Sequence, residues 1–269
     1  MTNKKETKSL EDTPHLEEPS KKSKRIDVHS TKSDLLGFAG IVESSIRTFK
    51  SLAFVLSMAP ITLMCLIAMG LSIFPGFLFV RFCFNFSSDY GLILQALVTS
   101  ISIGLGYFLY GMTLIFVIPL FNKMFFLNLR PWRGNWYSLK SIPWYYHNAL
   151  VQIVRYTFLD LVTPTPINIL FYKMMGMKVG KGVMINTTNI SDPCLITLED
   201  NVTIGGSATL FGHYAQGGYL VLAPVVIKKG ATVGLKASIM GDVVVGEKVT
   251  VKPHSILLPK TRLNKGDPQ

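Results

Sequence analysis

Charged side chains are missing from two long stretches of this chain. None occurs between Lys50 and Arg81, and none from Tyr90 to Asn122. Overall they make up 16% of the residues against 49% hydrophobic, an unusual balance for a soluble enzyme. A helix needs about 20 apolar residues to cross a bilayer, so both stretches are long enough even when tilted. Pro60 and Pro75 are expected to bend the first or mark its ends. Asn85–Asp89 is expected to form the turn of a helical hairpin. The small-residue pairs Ser100/Gly104 and Ser102/Gly106 should let its two helices approach closely.

Cysteine is also scarce. Cys65, Cys83 and Cys194 are odd in number, with neither CxxC nor metal-ligand spacing. This argues against a disulfide framework, favours a reducing compartment and reads all three as packing residues. Acidic residues number 16 against 27 Lys and Arg, a formal net charge of +11. Such an excess suits nucleic acid, anionic lipid or an acidic ligand. Met1–Ser33 has almost no apolar residues and reads as a disordered tail without a secretory signal. Lys21–Arg25 could touch anionic headgroups, although Glu17, Glu18 and Asp27 dilute the attraction. His15 and His29 have no visible partners there.

Basic residues flank the outer ends of both stretches: Arg47 and Lys50 before the first, Lys123, Arg130, Arg133 and Lys140 after the second. The connecting loop offers only Arg81. Both termini are therefore expected on the cytoplasmic side of a cell membrane. Trp132, Trp136 and Trp144, with Tyr137, Tyr145 and Tyr146, interleave with the second basic group as headgroup-layer residues would. His147 is expected to be interfacial rather than catalytic. Leu150–Val162 reads as a helix lying on or partly in the membrane. The same aromatic-basic mixture could bind RNA, but the adjacent spans favour lipid, and no nucleic acid is expected.

From Val179 to Lys260 an aliphatic residue returns at every sixth position. The clean run is Ile227, Val233, Ile239, Val245, Val251 and Leu257, with Leu198, Ile204 and Leu210 keeping the step upstream. Four residues after most of these comes a second small or aliphatic side chain, such as Val202, Ala208, Ala231, Ala237, Val243 or Val249. A six-residue period fits neither a helix nor an isolated strand. It fits a solenoid whose coils have three sides, each side contributing one inward aliphatic residue.

The units KVGKGV, VTIGGS, TVGLKA and VVGEKV resemble the hexapeptide-repeat acyltransferases, and Gly180, Gly205, Gly234 and Gly246 meet their preference for glycine after the aliphatic residue. The resemblance implies a left-handed parallel β-helix; the hand comes from it alone, because the general crossover rule favours the opposite one. Spans followed by an apolar segment and coils resemble, more particularly, the membrane-linked C-terminal region of nonribosomal-peptide-synthetase-like proteins. Ile190–Leu198 resembles the start of their β-helix, and Gly212-His213-Tyr214 their histidine-bearing loop.

The six-residue beat breaks between Leu210 and Ile227, so Gly212–Pro224 must leave the coil, and such insertions often carry function. His213 is the only histidine between Met174 and Lys252. The resemblance implies a general base acting on an acceptor hydroxyl or amine, a task suited to an imidazole that titrates near neutrality. An acidic residue shortly after the histidine is common in the family, whereas this chain has Gln216. Asp192, about a coil earlier, is the candidate orienting carboxylate. Gly212, Tyr214, Gly217, Gly218, Lys236 and Lys252 are candidates for binding an acyl donor, the Gly217-Gly218 pair by letting backbone approach a ligand. Lys228, Lys229 and Lys260 join the lysines that could meet the phosphates of coenzyme A or an acyl carrier, and equally could be solvated corners. His254 is expected to be a corner residue rather than a second base.

The expected architecture is a membrane α-helical hairpin plus a left-handed parallel β-helix. Its parts are a tail (1–33), the hairpin (34–122), an interfacial collar (123–176), the coils (177–261) and a second tail (262–269). The expected activity is transfer of an acyl group from an acyl-CoA or carrier-protein thioester, without metal. The resemblance also implies a homotrimer, with His213 of one subunit facing coil residues such as Lys236 of the next. Two rivals remain. A β-helical carbonic anhydrase would need three converging histidines, and the coils hold only His213 and His254. A non-catalytic membrane scaffold would account for the departure at Gln216.

Overall fold

The structure is a computed structural model describing residues 30–33 and 35–267. Expectations for the segment up to His29 fall outside those residues. Order begins before the expected tail boundary, because the Ser33 hydroxyl donates to Glu43 Oε1 at 3.0 Å.

Three helices open the described chain: α1 (Gly37–Thr48), α2 (Lys50–Phe86) and α3 (Leu92–Met124). Helices α2 and α3 are long and apolar enough to cross a membrane, with mean hydropathies of 2.3 and 2.0 over their best windows. Helix α2 contains Pro60 and Pro75 within its bounds, so neither proline ends it. The two helices touch where a Cβ on Gly76 would fall 2.4 Å from the Gly106 carbonyl oxygen. Ser102 is buried on the same side, as expected from its spacing to Gly106. Ser100 is exposed and Gly104 faces open space, so that pair plays no part in the contact. Large apolar side chains around the helices, Leu71, Phe77 and Ile103 among them, stay about half exposed.

The chain then forms β1 (Trp132–Asn135), α4 (Ile142–Thr157), a 3₁₀ turn (Leu159–Val162) and α5 (Pro166–Met174). These elements correct the expectation of a collar lying on the membrane. Helix α4 buries Leu150, Val151 and Val154 in one core shared with Leu114 and Ile118 of α3 and with the coils. Arg155 of α4 and Asp160 of the 3₁₀ turn after it both bond within the protein. Arg155 donates to the Asn189 side chain, and the Thr188 hydroxyl donates to Asp160 Oδ1 at 2.6 Å. Apolar sequence alone could not distinguish burial against protein from burial in lipid. Helix α5 covers the first coil, donating from Asn168 Nδ2 to the Ile185 carbonyl at 2.8 Å, with Phe171 and Tyr172 fully buried beneath it.

Of the fifteen remaining strands, thirteen form three parallel sheets and two form the excursion described below. One sheet stacks β2 (Lys178–Val179), β5 (Ile196–Leu198), β10 (Val225–Ile227), β13 (Val243–Val245) and β16 (Arg262–Leu263). The second stacks β3 (Met184–Ile185), β6 (Thr203–Ile204), β11 (Thr232–Val233) and β14 (Thr250–Val251). The third stacks β4 (Ile190–Ser191), β7 (Thr209–Phe211), β12 (Ser238–Ile239) and β15 (Ile256–Leu257). Successive strands visit the three sheets in turn, which makes a three-sided parallel β-helix. Ile227 pairs with Val245 and Val245 with Leu263, a repeat of eighteen residues. Strand β16 carries the coil past the expected end at 261, since Leu263 continues the six-residue step into the core.

The glycines after the inward residues have a steric origin. A Cβ on Gly234 would lie 2.6 Å from the Pro253 backbone nitrogen, and one on Gly205 2.7 Å from the Val233 carbonyl oxygen. Coil-to-coil stacking leaves no room there. Gly234→Ala is therefore expected to cost about 1–3 kcal/mol, as overpacking typically does. A lowered thermal midpoint of the detergent-solubilised chain checks this; an unchanged one refutes the steric account.

Candidate functional site

The eleven extra residues of the interrupted coil form an antiparallel hairpin, β8 (His213–Gln216) and β9 (Tyr219–Leu222). Gly217 and Gly218 are its two-residue turn, with φ of 57° and 82°. Two positive φ values are what a tight hairpin with the native twist requires. That geometry accounts for the glycine pair, and a Cβ on Gly217 would meet only open space. Strand β1 pairs with the far side of β9, Trp132 opposite Leu222 and Asn135 opposite Tyr219. The hairpin is thus the middle and edge of a three-stranded sheet anchored to the segment following α3.

This pairing relocates the tryptophans. Trp132, Trp136 and Trp144 are only partly exposed and pack against Leu129, Leu195, Leu220 and Leu222. They form a second apolar cluster between hairpin, α4 and first coil, not a headgroup belt.

His213 stands at the base of the hairpin. A Cβ on Gly212 would come within 2.8 Å of Leu195 Cβ and 2.9 Å of Asp192 Cβ. Only glycine lets the chain leave β7 so close to the corner at Asp192. The result is a hydrogen bond of 2.5 Å between His213 Nδ1 and Asp192 Oδ2. Asp192 is fully buried, held in the left-handed region at φ 58° ahead of Pro193. Its second oxygen, Oδ1, accepts from Asn148 Nδ2 at 2.8 Å. Asn148 Nδ2 also donates to the Trp144 carbonyl one turn earlier on α4, at 3.0 Å. The His213 side chain remains 21% exposed, between the rings of Trp144 and Phe211 at centroid distances of 5.1 and 5.4 Å. With Nδ1 donating to a carboxylate, Nε2 is the nitrogen able to accept a proton.

Beneath this pair lies a layer that carries no exposed group. His147 is completely buried, its Nδ1 2.7 Å from Asn122 Oδ1 of α3. An amide oxygen only accepts, so Nδ1 bears the proton and Nε2 faces Cys194 Sγ at 3.9 Å. Burial pushes His147 down to about 4, against the opposing pull of the Asp192 carboxylate. Burial likewise pushes the Cys194 thiol up to about 12, although the Leu129 N–H donates to its sulfur. Both groups are neutral at pH 7. His147 is therefore an internal residue and not the interfacial one expected, because α4 packs on the coils.

Other expected residues lie elsewhere. Tyr214 follows His213 on β8, opposite Val221. Lys236 (φ 55°) and His254 (φ 61°) are exposed corner residues, as expected for the histidine. Lys236 and Lys252 precede the third sheet, whereas His213 follows it, so a single chain does not bring these lysines to the imidazole. Lys228 and Lys260 occupy further corners. Asn148 was not anticipated from sequence, and Trp144 was expected among headgroup-layer residues rather than beside His213. Their four-residue spacing on one helix, with a polar amide next to an apolar stripe, is the signal that points to them.

No protein-family model matches the chain. Over 82 residues it is 33% identical to the Delta-poly-L-ornithine synthetase of Acinetobacter baumannii (strain AB307-0294), an alignment covering 30% of this chain and 6% of that protein. The chain thus matches only a small fraction of that relative's length. Among solved structures, serine acetyltransferase in complex with coenzyme A from Brucella abortus strain S19 aligns over 58% of this chain and 50% of its own, at 17% identity and a TM-score of 0.33. Neisseria gonorrhoeae serine acetyltransferase aligns over 46% and 49%, at 18% identity and a TM-score of 0.28. The three-sided coil is established by its own strand registers and does not rest on these superpositions.

Proposed function

We propose that this chain is a membrane-anchored acyltransferase with a left-handed β-helix, moving an acyl group from a thioester donor to a hydroxyl or amine. The observation that carries the reading is the His213–Asp192 pair. A buried carboxylate holding Nδ1 leaves Nε2 as the proton-accepting nitrogen of a partly exposed ring, as a general base requires. Nε2 takes the acceptor proton as the acceptor attacks the thioester carbonyl. Collapse of the tetrahedral intermediate expels the thiolate, which recovers that proton from the imidazolium. Asp192 stabilises the transient cation and fixes the ring's tautomer. The donor is coenzyme A or a carrier protein, bound in a homotrimer between His213 of one subunit and corner lysines such as Lys236 of the next. That arrangement agrees with the separation of Lys236 from His213 within one chain.

The exposed apolar girth of α2 and α3, together with the basic residues at their outer ends, supports two spans with both termini and the coils cytoplasmic. Single cysteines at Ser88 and Lys265, with native cysteines replaced, should then label from opposite sides of sealed vesicles. Purified chain should release free thiol from an acyl-CoA or acyl-carrier donor when offered hydroxyl or amine acceptors. Labelling from one side contradicts the spans, and no acceptor-dependent thiol release from either donor contradicts the transferase.

A further inference from the structure

The coil alone does not align the His213–Asp192 pair. Among the described residues the Asp192 carboxylate accepts two hydrogen bonds, from His213 Nδ1 to Oδ2 at 2.5 Å and from Asn148 Nδ2 to Oδ1 at 2.8 Å. The corner fixes the Asp192 backbone, at φ 58° ahead of Pro193. It leaves the plane of the carboxylate loose, because a terminal torsion onto an sp² carbon is broad. The bond from Asn148 to the other oxygen removes that freedom.

Asn148 is held in turn. Its Nδ2 donates one hydrogen to Asp192 Oδ1 and the other to the Trp144 carbonyl, one turn back, at 3.0 Å. Both partners only accept, so the amide has one orientation; turned over, its oxygen would face two oxygens. Asparagine is a weak helix former, so propensity does not account for its place inside α4. The helix is a firm platform. Its Leu150, Val151 and Val154 are buried, and the neighbouring His147 bonds to Asn122 of α3. Trp144 brings its ring to 5.1 Å from the His213 ring, so one face of α4 meets both members of the pair.

We infer that Asn148 is a positioning residue for acyl transfer: it fixes the plane of the Asp192 carboxylate, and through it the ring of His213. The inference rests on the transferase reading above. Both amide hydrogens of Asn148 are engaged, so it moves no proton and offers none to donor or acceptor. Through Asn148, helix α4 and the apolar hairpin on which it is seated help to hold the candidate base. A coil without α4 would keep His213 beside Asp192 but leave the carboxylate free to turn.

The test uses the full chain in lipid nanodiscs, labelled with ¹⁵N-histidine, the His213 signals being assigned by their loss in His213→Ala. In wild type the Nδ1 proton should resonate far downfield and be protected from exchange, as a short bond to a carboxylate requires. Asn148→Ala should move that resonance upfield and broaden it, leaving the His254 signals in place. Asn148→Ser is the gentler variant. Its single hydroxyl proton can bond the Trp144 carbonyl but not Asp192 as well, so it should change the resonance in the same direction. The maximal single-turnover rate of acetyl transfer from acetyl-CoA to ethanolamine, which offers both a hydroxyl and an amine, should fall about 10–100-fold in both variants. That is the worth of a hydrogen bond to a charged group. The half-saturating ethanolamine concentration should not change. Val151→Ala, a cavity on the buried side of α4, is the control for lost packing; it should lower the thermal midpoint and move neither readout. Absence of the downfield proton in wild type, a wild-type resonance in both Asn148 variants, an effect confined to half-saturation, or an equal response in Val151→Ala overturns the inference. A wild type that transfers nothing removes the transferase, and the resonance then still decides whether Asn148 holds the pair.

Discussion

His213→Ala lowers the single-turnover rate of acyl transfer by about 10²–10⁴-fold, the contribution of a positioned general base. The fold should persist, since the ring is partly exposed and sits outside the coil's core, with a lowered thermal midpoint because the buried Asp192 Oδ2 loses its donor. Asp192→Asn is expected to lose nearly as much. The amide keeps the carboxylate's shape but not its charge, so the imidazolium formed during the reaction loses its stabilising partner. Asn148, which donates to Asp192 Oδ1, could no longer be satisfied together with His213 in the same geometry. His254→Ala, at a remote corner, is the control and should be mild. A near-normal chemical step in His213→Ala removes the histidine from the mechanism, and normal transfer with Asp192→Asn would limit the carboxylate to a structural role.

The second large effect is on stability in acid. His147 is neutral in the folded chain down to about 4, whereas an exposed imidazole protonates near 6.5. Above that upper value neither state takes a proton, and the group has no effect. As pH falls through the window from about 6.5 to 4, the unfolded chain binds a proton that the folded chain refuses, so stability falls. The loss is on the order of 3 kcal/mol, complete near the lower limit. Glu43 adds a later loss. Burial opposes its ionisation, but hydrogen bonds from Leu139, Ser138 and Ser33 and the charge of Arg47 outweigh that, lowering its pKa. Its contribution is lost as pH falls below the ordinary carboxylate range. His147→Gln should remove the first slope and leave the second, as read from denaturation midpoints from pH 7 down to about 3. Parallel slopes in wild type and variant would show that His147 does not sense acid from the interior.

The coils were legible because their signal is strictly periodic. Ile227, Val233, Ile239 and Val245 are each wholly buried, as a six-residue step with one inward residue demands. The break at Leu210 announced an excursion from the coil, though not its hairpin form, and drew attention to His213 at its base. The sequence hid the long-range pairing. Trp132–Asn135 is short and includes Gly134 and Asn135, so it does not read as a strand, and its partner lies far along the chain at Tyr219–Leu222. Asp192 drew attention as an acidic residue about one coil back, but its contact depends on a glycine crossing that no spacing rule describes. The apolar stripe of α4 was misassigned to lipid because Leu150 and Val154 would suit either solvent. Only the arrangement of α3 and the first coil around them decides the matter.

The stacking of the coils also constrains how the chain can change its length. Each turn of eighteen residues is held by ladders to the turn before and the turn after, with corner glycines pressed against neighbouring backbone. One end is plugged by α5; the other ends at β16, with no strand beyond it among the described residues. Material can therefore be gained or lost at that far end in whole turns, as in other repeat arrays. A fractional turn would rotate every later aliphatic residue out of the core. The histidine and its carboxylate sit near the plugged end, where such editing does not reach. The molecule thus separates a portion whose length is negotiable from one whose geometry is fixed.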